Sequence, residues 1–437
     1  MNISIFGLGY VGTVSAVCLA KQGHRVIGVD TNPVKVELIN KGTTPIVEPG
    51  VEALLHQAIA ERKLSATTNL TEAVQGTDLS LICVGTPSAP NGSLNLDYVM
   101  RVAEQAGQAL RLKNTYHGIV VRSTVLPGTV DKVAALVGRE SGKQPGKDFG
   151  VADNPEFLRE GTSVFDFENP PYTVVGGSDD KIVQMLREMY AGVNAPFHAV
   201  KIREAEILKY ACNAFHAVKV TFANEIGAIS KKLGIDSHVV MNIFVQDTKL
   251  NISPYYLKPG FAFGGSCLPK DVRAITYESR RNDIATPLLS SLMPSNESQV
   301  QRAVDWVVAT KRKKVGILGL SFKNDTDDLR ESPIVDVVET LIGKGYDLSI
   351  YDANVNLARL IGANKSYIEH EIPHISSLMK PSMQDVLDHA EVILVANKGA
   401  EFKDITRLVK PGQMIYDLVR ITEDWKSTHG HYEGICW

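Results

Sequence analysis

Gly7-Leu8-Gly9-Tyr10-Val11-Gly12 is the first stretch of this chain whose residue types and spacing could do chemistry. It follows an apolar run, Ile3 to Phe6, and opens a helical stretch, Val11 to Gln22; an acid, Asp30, closes the next apolar run eighteen positions after Gly12. In such a turn Gly7 permits the tight bend, Gly9 lets backbone amides approach a pyrophosphate, and Gly12 lets helix and strand lie close. The helix N-terminus favours the phosphate charge. Asp30 is then placed for ribose hydroxyls and would repel a 2′-phosphate. No Arg follows it in Thr31-Asn32-Pro33, so NAD is expected rather than NADP. The competing reading, a plain glycine-rich turn of an α/β fold, leaves the order of strand, helix and acid unexplained.

A second chemical signal lies at Phe261-Ala262-Phe263-Gly264-Gly265-Ser266-Cys267-Leu268-Pro269-Lys270-Asp271. Pro269 suits the first turn of a helix, and a thiol at a helix N-terminus beside Lys270 has a depressed pKa. Cys18, Cys83 and Cys212 sit in apolar patterns and read as small core residues, which leaves Cys267 with the setting of a nucleophile. With NAD nearby, its thiolate would either form a thiohemiacetal that yields hydride or simply pack near the cofactor. Asn154-Pro155-Glu156-Phe157-Leu158-Arg159-Glu160 adds carboxylates that could act on water or hold hydroxyls.

Lys209, Asn213, His216, Val220 and Asn224 lie at offsets of 0, 4, 7, 11 and 15, a mainly polar stripe on one face of a helix. That stripe either meets a polar ligand or is the solvated side; its neighbours Ile207, Leu208, Phe215, Val218 and Phe222 are expected to be buried. Gly85-Thr86-Pro87 and Arg122-Ser123-Thr124 follow apolar runs, and ligands of open α/β sheets sit at the carboxyl ends of strands.

The elements that must position these residues follow a βαβ grammar. Apolar runs at Leu79 to Val84, Ile119 to Val121 and Thr173 to Val175 alternate with helical stretches such as Tyr98 to Leu110 and Lys181 to Tyr190. A parallel, doubly wound sheet is expected. From Arg203 no Gly or Pro interrupts the chain until Gly227, which suits a long connecting helix. The βαβ pattern returns at Lys314 to Gly319, Ile334 to Lys344 and Leu348 to Asp352, with Val392 to Val395 echoing Leu81 to Val84. There Gly319-Leu320-Ser321-Phe322-Lys323 lacks the full glycine fingerprint, so tight dinucleotide binding is not expected, while Lys323 and Arg330, with Asp325, Asp327 and Asp328 between them, leave room for a nucleotide sugar. The fold expected is α/β, two Rossmann-like doubly wound domains joined by a long central helix. The divisions are 1–200, 201–300 and 301–437.

Composition excludes several classes. The 437 residues carry 46 basic and 49 acidic side chains, a net charge of −3, which gives no field for holding nucleic acid. Lys311-Arg312-Lys313-Lys314 has no interleaved aromatics and reads as a solvated lead-in to a strand. The 5 cysteines are scattered without C-x-x-C, so neither a disulfide framework nor a thiolate metal site is expected, and a reducing cytoplasm fits. Glycines break the first apolar run and no basic region precedes it, so neither a leader nor a membrane span is expected.

Taken in order, GLGYVG, VGTP, RSTVLPGT, NPEFLREG, FGGSCLPKD and SFKNDTDDLRESP resemble the UDP-glucose and GDP-mannose 6-dehydrogenase family from Ile3 to near the C-terminus. That family oxidises a hexose C6 alcohol to a carboxylate and reduces two NAD per sugar. The resemblance implies Cys267 as nucleophile through a thiohemiacetal and a thioester. Lys209, Asn213 and Asp271 would stabilise oxyanions and position water, with Thr124 and Glu156 assisting proton transfer or hydrolysis. It places Gly7, Gly9, Tyr10, Val11, Gly12, Asp30, Lys35, Thr86, Thr124 and Lys270 at NAD. Glu160, Lys209, Asn213, His216, Asn224, Tyr255, Tyr256, Lys258, Gly264, Lys323 and Arg330 fall at the sugar nucleotide.

Leu268, Thr44-Pro45-Ile46-Val47-Glu48-Pro49-Gly50 and the Cys436-Trp437 ending resemble the branch that acts on GDP-mannose for alginate. GDP-mannose is therefore the implied substrate, with a UDP-glucose or UDP-N-acetylmannosamine dehydrogenase, or a non-catalytic NAD-responsive binding protein, as alternatives. Lys258 departs from the Arg expected there, keeping the charge but losing the bidentate fork. The family also implies a homodimer built on the long helix, with active sites completed by the partner chain.

Overall fold

A computed structural model describes residues 1–87, 93–253, 256, 259–265, 268–321, 329, 331–353, 355, 375–422 and 430–437. Cys267, Tyr255, Lys258, Lys323 and Arg330 lie outside the described residues. Two compact units divide the chain, Met1–Ala217 and Val218–Trp437.

The first unit runs β1 (Asn2–Phe6), α1 (Tyr10–Lys21), β2 (Arg25–Val29), α2 (Pro33–Asn40), α3 (Val51–Ala60), β3 (Leu64–Thr67), α4 (Leu70–Gly76) and β4 (Leu79–Ile82). It continues through α5 (Asp97–Leu110), β5 (His117–Val121), α6 (Thr129–Ser141), β6 (Phe149–Asp153), α7 (Ser163–Glu168), β7 (Thr173–Gly177), α8 (Asp180–Met189) and β8 (Phe197–Val200). The chain then enters the long helix α9 (Ile202–Lys232), which carries it into the second unit.

The strands form one sheet in the order β3-β2-β1-β4-β5-β6-β7-β8. Its central strands are apolar on both sides because helices cover both faces. Alternate residues feed opposite cores: Ile3, Ile5, Leu79, Leu81 and Val120 pack with α1, α3 and α8. Phe6, Ile82, Ile119 and Val121 pack with α4, α5 and α6. Strand order reverses between β1 and β4, which opens a crevice at their carboxyl ends.

β7 departs from the parallel arrangement expected of the sequence: it runs antiparallel to β6, with Asp153 opposite Gly176, and β8 follows β7 in parallel. The connection between β6 and β7, residues 154–172, contains α7 (Ser163–Glu168).

The second unit contains α10 (Ser237–Phe244), α11 (Leu268–Arg281), α12 (Pro287–Ala309), β9 (Lys314–Leu318), α13 (Pro333–Gly343), β10 (Asp347–Tyr351), β11 (Val392–Val395), β12 (Met414–Asp417) and β13 (His431–Gly434). Its sheet is parallel, in the order β10-β9-β11-β12-β13. The internal likeness anticipated in the sequence is geometrical. Gly7 (φ 95°) donates its N–H to Val29 O at 2.8 Å, and Gly319 (φ 89°) donates to Tyr351 O at 2.8 Å. Leu8 N–H reaches Asp30 at 2.9 Å, and Leu320 N–H reaches Asp352 at 2.7 Å.

Candidate active site

The glycine turn stands at the crevice. A Cβ on Gly12 would lie 1.8 Å from Gly7 O, so only glycine lets α1 pack this closely on the turn. A Cβ on Gly9 would meet nothing within 4 Å, which leaves an open approach to the first turn of α1. No side chain caps that helix, and no acid occupies its first turn. Its orphan N–H groups and positive dipole end therefore fit a pyrophosphate. Asp30 follows β2, one carboxylate oxygen on Leu8 N–H and the other on Asn32 N–H at 2.9 Å, with Lys35 Nζ 3.3 Å away. The carboxylate keeps lone pairs for ribose hydroxyls. These residues fit an NAD-type dinucleotide.

Across the switch point, the turns after β4 and β5 are tied together. Thr86 Oγ1 donates to Thr124 O at 2.9 Å, and Ser123 Oγ donates to Val84 O at 2.6 Å. Thr86 and Thr124 are both half-buried at this end of the sheet.

Glu156, just beyond β6, receives Lys209 Nζ of α9 at 2.9 Å; its other oxygen accepts Leu158 N–H at 2.6 Å. The pair is largely withdrawn from water, with side chains 12% and 10% exposed. Lys209 Nζ also stands 5.4 Å from the centre of the Phe157 ring. A shielded cation beside a carboxylate is equipped to stabilise a developing oxyanion and to move a proton. The same pairing explains how a lysine can be buried on α9.

The rest of the polar stripe diverges. Asn213, His216, Val220 and Asn224 are exposed. The apolar flank expected to be buried is also open: Ile207, Phe215 and Val218 are 50%, 42% and 44% exposed, with Leu208 and Phe222 half-buried. Apolar periodicity marks a face that avoids water, but it does not say that the same chain covers it. Cys18 and Cys83 are buried as expected, and burial pushes both thiols up to about 12; Cys212 is half-buried, 3.6 Å from the Tyr172 hydroxyl.

Glu48 is a member of this region that the sequence did not single out as functional. It is buried and accepts four hydrogen bonds: Tyr10 Oη at 2.6 Å, and Gly161 N–H, Ser163 N–H and Ser163 Oγ at 2.8 Å each. One carboxylate thus fastens the glycine-turn helix to the loop that carries Glu156 and the exposed Glu160. Burial alone would raise its pKa; the Tyr10, Gly161 and Ser163 donors outweigh that and hold it at about 2, against an ordinary 4.5. Because the folded value lies below the ordinary one, Glu48 stabilises the fold fully above pH 4.5, and the contribution is lost as pH falls toward 2. Glu48→Gln should therefore lower the thermal midpoint at neutral pH and flatten its fall in acid. An unchanged acid limb in thermal unfolding scans would overturn this account.

In the second unit, α11 begins at Leu268, with Pro269 its second residue. Lys270 and Asp271 are exposed and paired at 3.3 Å. The preceding loop is seated tightly. A Cβ on Gly264 would lie 2.2 Å from Glu331 O and 2.5 Å from Pro333 Cδ, and Gly265 (φ 87°) donates to Glu331 O at 3.3 Å. Asn296 of α12 clamps Phe263 from the other side, accepting its N–H and donating to its carbonyl at 2.8 Å each. Asn296 was missed in the sequence, where it lies in the polar run Ser295-Asn296-Glu297-Ser298-Gln299 after Pro294. Tyr256 adopts φ 61° and is 76% exposed.

Asp352 differs from Asp30 in being consumed by its own turn: it is buried and accepts Ser321 N–H at 3.0 Å and Ser321 Oγ at 3.1 Å besides Leu320. Among the described residues no cluster of His, Cys, Asp or Glu could hold a metal ion, and no helix is long and apolar enough to cross a membrane.

A dinucleotide crevice at the switch point of one sheet, followed by a long helix and a second sheet of Rossmann type, defines a two-sheet dehydrogenase. Residues 1–194 match the NAD binding domain of the UDP-glucose/GDP-mannose dehydrogenase family, 203–298 its central domain and 316–424 its UDP binding domain. The chain is 53% identical over 438 residues to the GDP-mannose 6-dehydrogenase of Pseudomonas putida, and 52% identical to that of Azotobacter vinelandii, covering 100% of each pair. It is 36% identical to the UDP-glucose 6-dehydrogenase AglM of Haloferax volcanii, over 92% of both chains. Among solved structures, a ternary complex of GDP-mannose dehydrogenase from Pseudomonas aeruginosa matches with TM-score 0.97 at 52% identity, over 100% of both chains. A UDP-glucose dehydrogenase from Pyrobaculum islandicum matches with TM-score 0.56 at 35% identity, over 100% of this chain and 98% of that one. The chain belongs to the UDP-glucose/GDP-mannose dehydrogenase family, and is an NAD-binding oxidoreductase that handles nucleotide sugars.

Proposed function

We propose that this enzyme oxidises GDP-mannose at C6 to GDP-mannuronate, reducing two NAD per sugar and supplying alginate biosynthesis. The observation that carries the choice of substrate is the end-to-end likeness, in sequence and in structure, to relatives that act on GDP-mannose.

The glycine turn, Tyr10, Val11, Asp30, Lys35, Thr86, Thr124 and Lys270 would hold NAD, which would supply the hydride acceptor for both oxidations. The C6 alcohol loses a hydride and a proton to become an aldehyde. The Cys267 thiolate adds to that carbon to give a thiohemiacetal, and loss of a second hydride leaves a thioester. Water then cleaves the C–S bond, releasing the carboxylate and restoring the thiol.

Lys209, Asn213 and Asp271 stabilise the oxyanions and orient that water, while Thr124 and Glu156 assist proton transfer. The shielded ion pair of Lys209 with Glu156 supports these roles. Glu160, His216, Asn224, Tyr255, Tyr256, Lys258, Gly264, Lys323 and Arg330 hold the sugar nucleotide. Residues 1–200 form the NAD domain, 201–300 the central helical region and 301–437 the sugar-nucleotide domain. The exposed apolar residues of α9, Phe215, Val218 and Val220, support a homodimer, and the scattered cysteines support a cytoplasmic setting.

NADH formed per limiting sugar nucleotide under excess NAD tests mechanism and substrate together. Two per GDP-mannose are expected. Two per UDP-glucose with none from GDP-mannose would keep the chemistry and reject the substrate, whereas one per sugar would reject the thioester.

A further inference from the structure

The N-terminus of α6 has no cap of its own: its N-cap is Gly128, at φ 92°. The cap comes instead from α9. Glu206, 1% exposed, accepts Gly128 N–H at 2.7 Å on one oxygen and Val130 N–H at 2.9 Å on the other. A carboxylate bridging two orphan amides at a helix N-terminus combines charge-assisted hydrogen bonds with the helix dipole. Lys209 follows three residues later, one turn along the same face of α9.

The capped end is joined to the Thr124 turn, whose other end is tied to the turn after β4 through Thr86 and Ser123. Near the cap, Asp153 closes β6 three residues before Glu156. Burial pushes its carboxyl up to about 8, with the Glu206 charge adding and Arg122 opposing, so Asp153 is largely protonated at neutral pH and adds little negative charge beside Glu206. Arg203 also pairs with Asp131 at this end of α9, but their side chains are 72% and 49% exposed, and such pairs hold little.

We infer that Glu206 is a positioning residue for the reaction: by docking the start of α9 on the uncapped N-terminus of α6, it holds Lys209 Nζ against Glu156. The inference rests on the role assigned to Lys209 above. Both Glu206 oxygens are engaged by amides of the α6 N-terminus, and Glu206 acts through Lys209.

The test is a double-mutant cycle in the full-length enzyme, reading kcat and both KM values for NADH formation from GDP-mannose. Glu206→Gln keeps the volume but turns an NH₂ toward one of the two amides. It should lower kcat about 30-fold, because displacements near 1 Å cost rates of this order, and leave KM for NAD within about twofold. In a Lys209→Ala background the same change should cost less than about threefold, since the group it positions is gone.

An additive loss in the cycle, or an E206Q enzyme at full rate, would overturn the role of Glu206. A Lys209→Ala enzyme at full rate would overturn the assignment of Lys209, and this role with it. NADH formation by the unsubstituted enzyme separates failure of the substrate assignment from either. If E206Q does not fold, Glu206→Asp, which keeps the charge but withdraws it by one methylene, reads the same coupling.

Discussion

Cys267→Ala should leave NAD binding intact and lower NADH formation from GDP-mannose by about 10³-fold or more, the scale on which loss of a covalent nucleophile is felt. Cys18 and Cys83 are buried with thiols pushed up to about 12, which makes them poor sources of thiolate near neutral pH. α11 begins at Leu268 and carries Lys270 in its first turn, the setting in which a reactive thiol is expected from the sequence. In the preceding loop Gly264 fits against Glu331 and Pro333 only for want of a Cβ, and Asn296 clamps Phe263. Binding titration with NAD and progress curves with limiting sugar nucleotide check both halves. Sustained two-fold NADH stoichiometry in Cys267→Ala would remove the thioester from the mechanism.

Gly12→Ala should abolish NAD binding and lower the thermal midpoint, whereas Gly9→Ala should weaken NAD binding about 100-fold while shifting the midpoint by no more than about 3 °C. The contrast follows from where each Cβ would go. At Gly12 it would stand 1.8 Å from Gly7 O and 3.0 Å from Gly7 C, both backbone atoms of the turn, so α1 must move off β1 to make room. That movement disturbs the core that α1 shares with Ile3, Ile5 and Leu81. At Gly9 a Cβ would meet no protein atom within 4 Å. It would obstruct only a ligand drawn close to the uncapped first turn of α1. NAD titration together with thermal unfolding of both variants separates the cases. Equal losses of stability would show that the open face at Gly9 is structural and would weaken its assignment to pyrophosphate.

Much of the molecule was legible before the structure. The turn at Gly7, the acid at Asp30, the long helix after Arg203 and the second βαβ at Lys314 depend on backbone conformational freedom and apolar periodicity, which are local properties of the chain. A local rule demanded glycine at Gly12, and motifs marked Glu156 and Lys209 separately before the structure paired them. Glu48 and Asn296 were not legible as functional. Their partners lie 113 and 115 residues away for Glu48 and 33 away for Asn296, and a hydrogen bond across such a distance leaves no periodic mark on either segment.

By itself, then, the sequence determined which segments become strands and helices, which turns need glycine, and what chemistry the motifs bring. Tertiary structure alone decided that β7 runs against β6, that Ile207, Phe215 and Val218 lie open on a helix patterned for burial, and that Glu206 caps α6 from α9. The physical reason is the same in each case. Strand direction, solvent exposure and a cap supplied by another helix depend on distant atoms meeting in space, whereas dihedral preference and hydrophobic period are settled within a few residues.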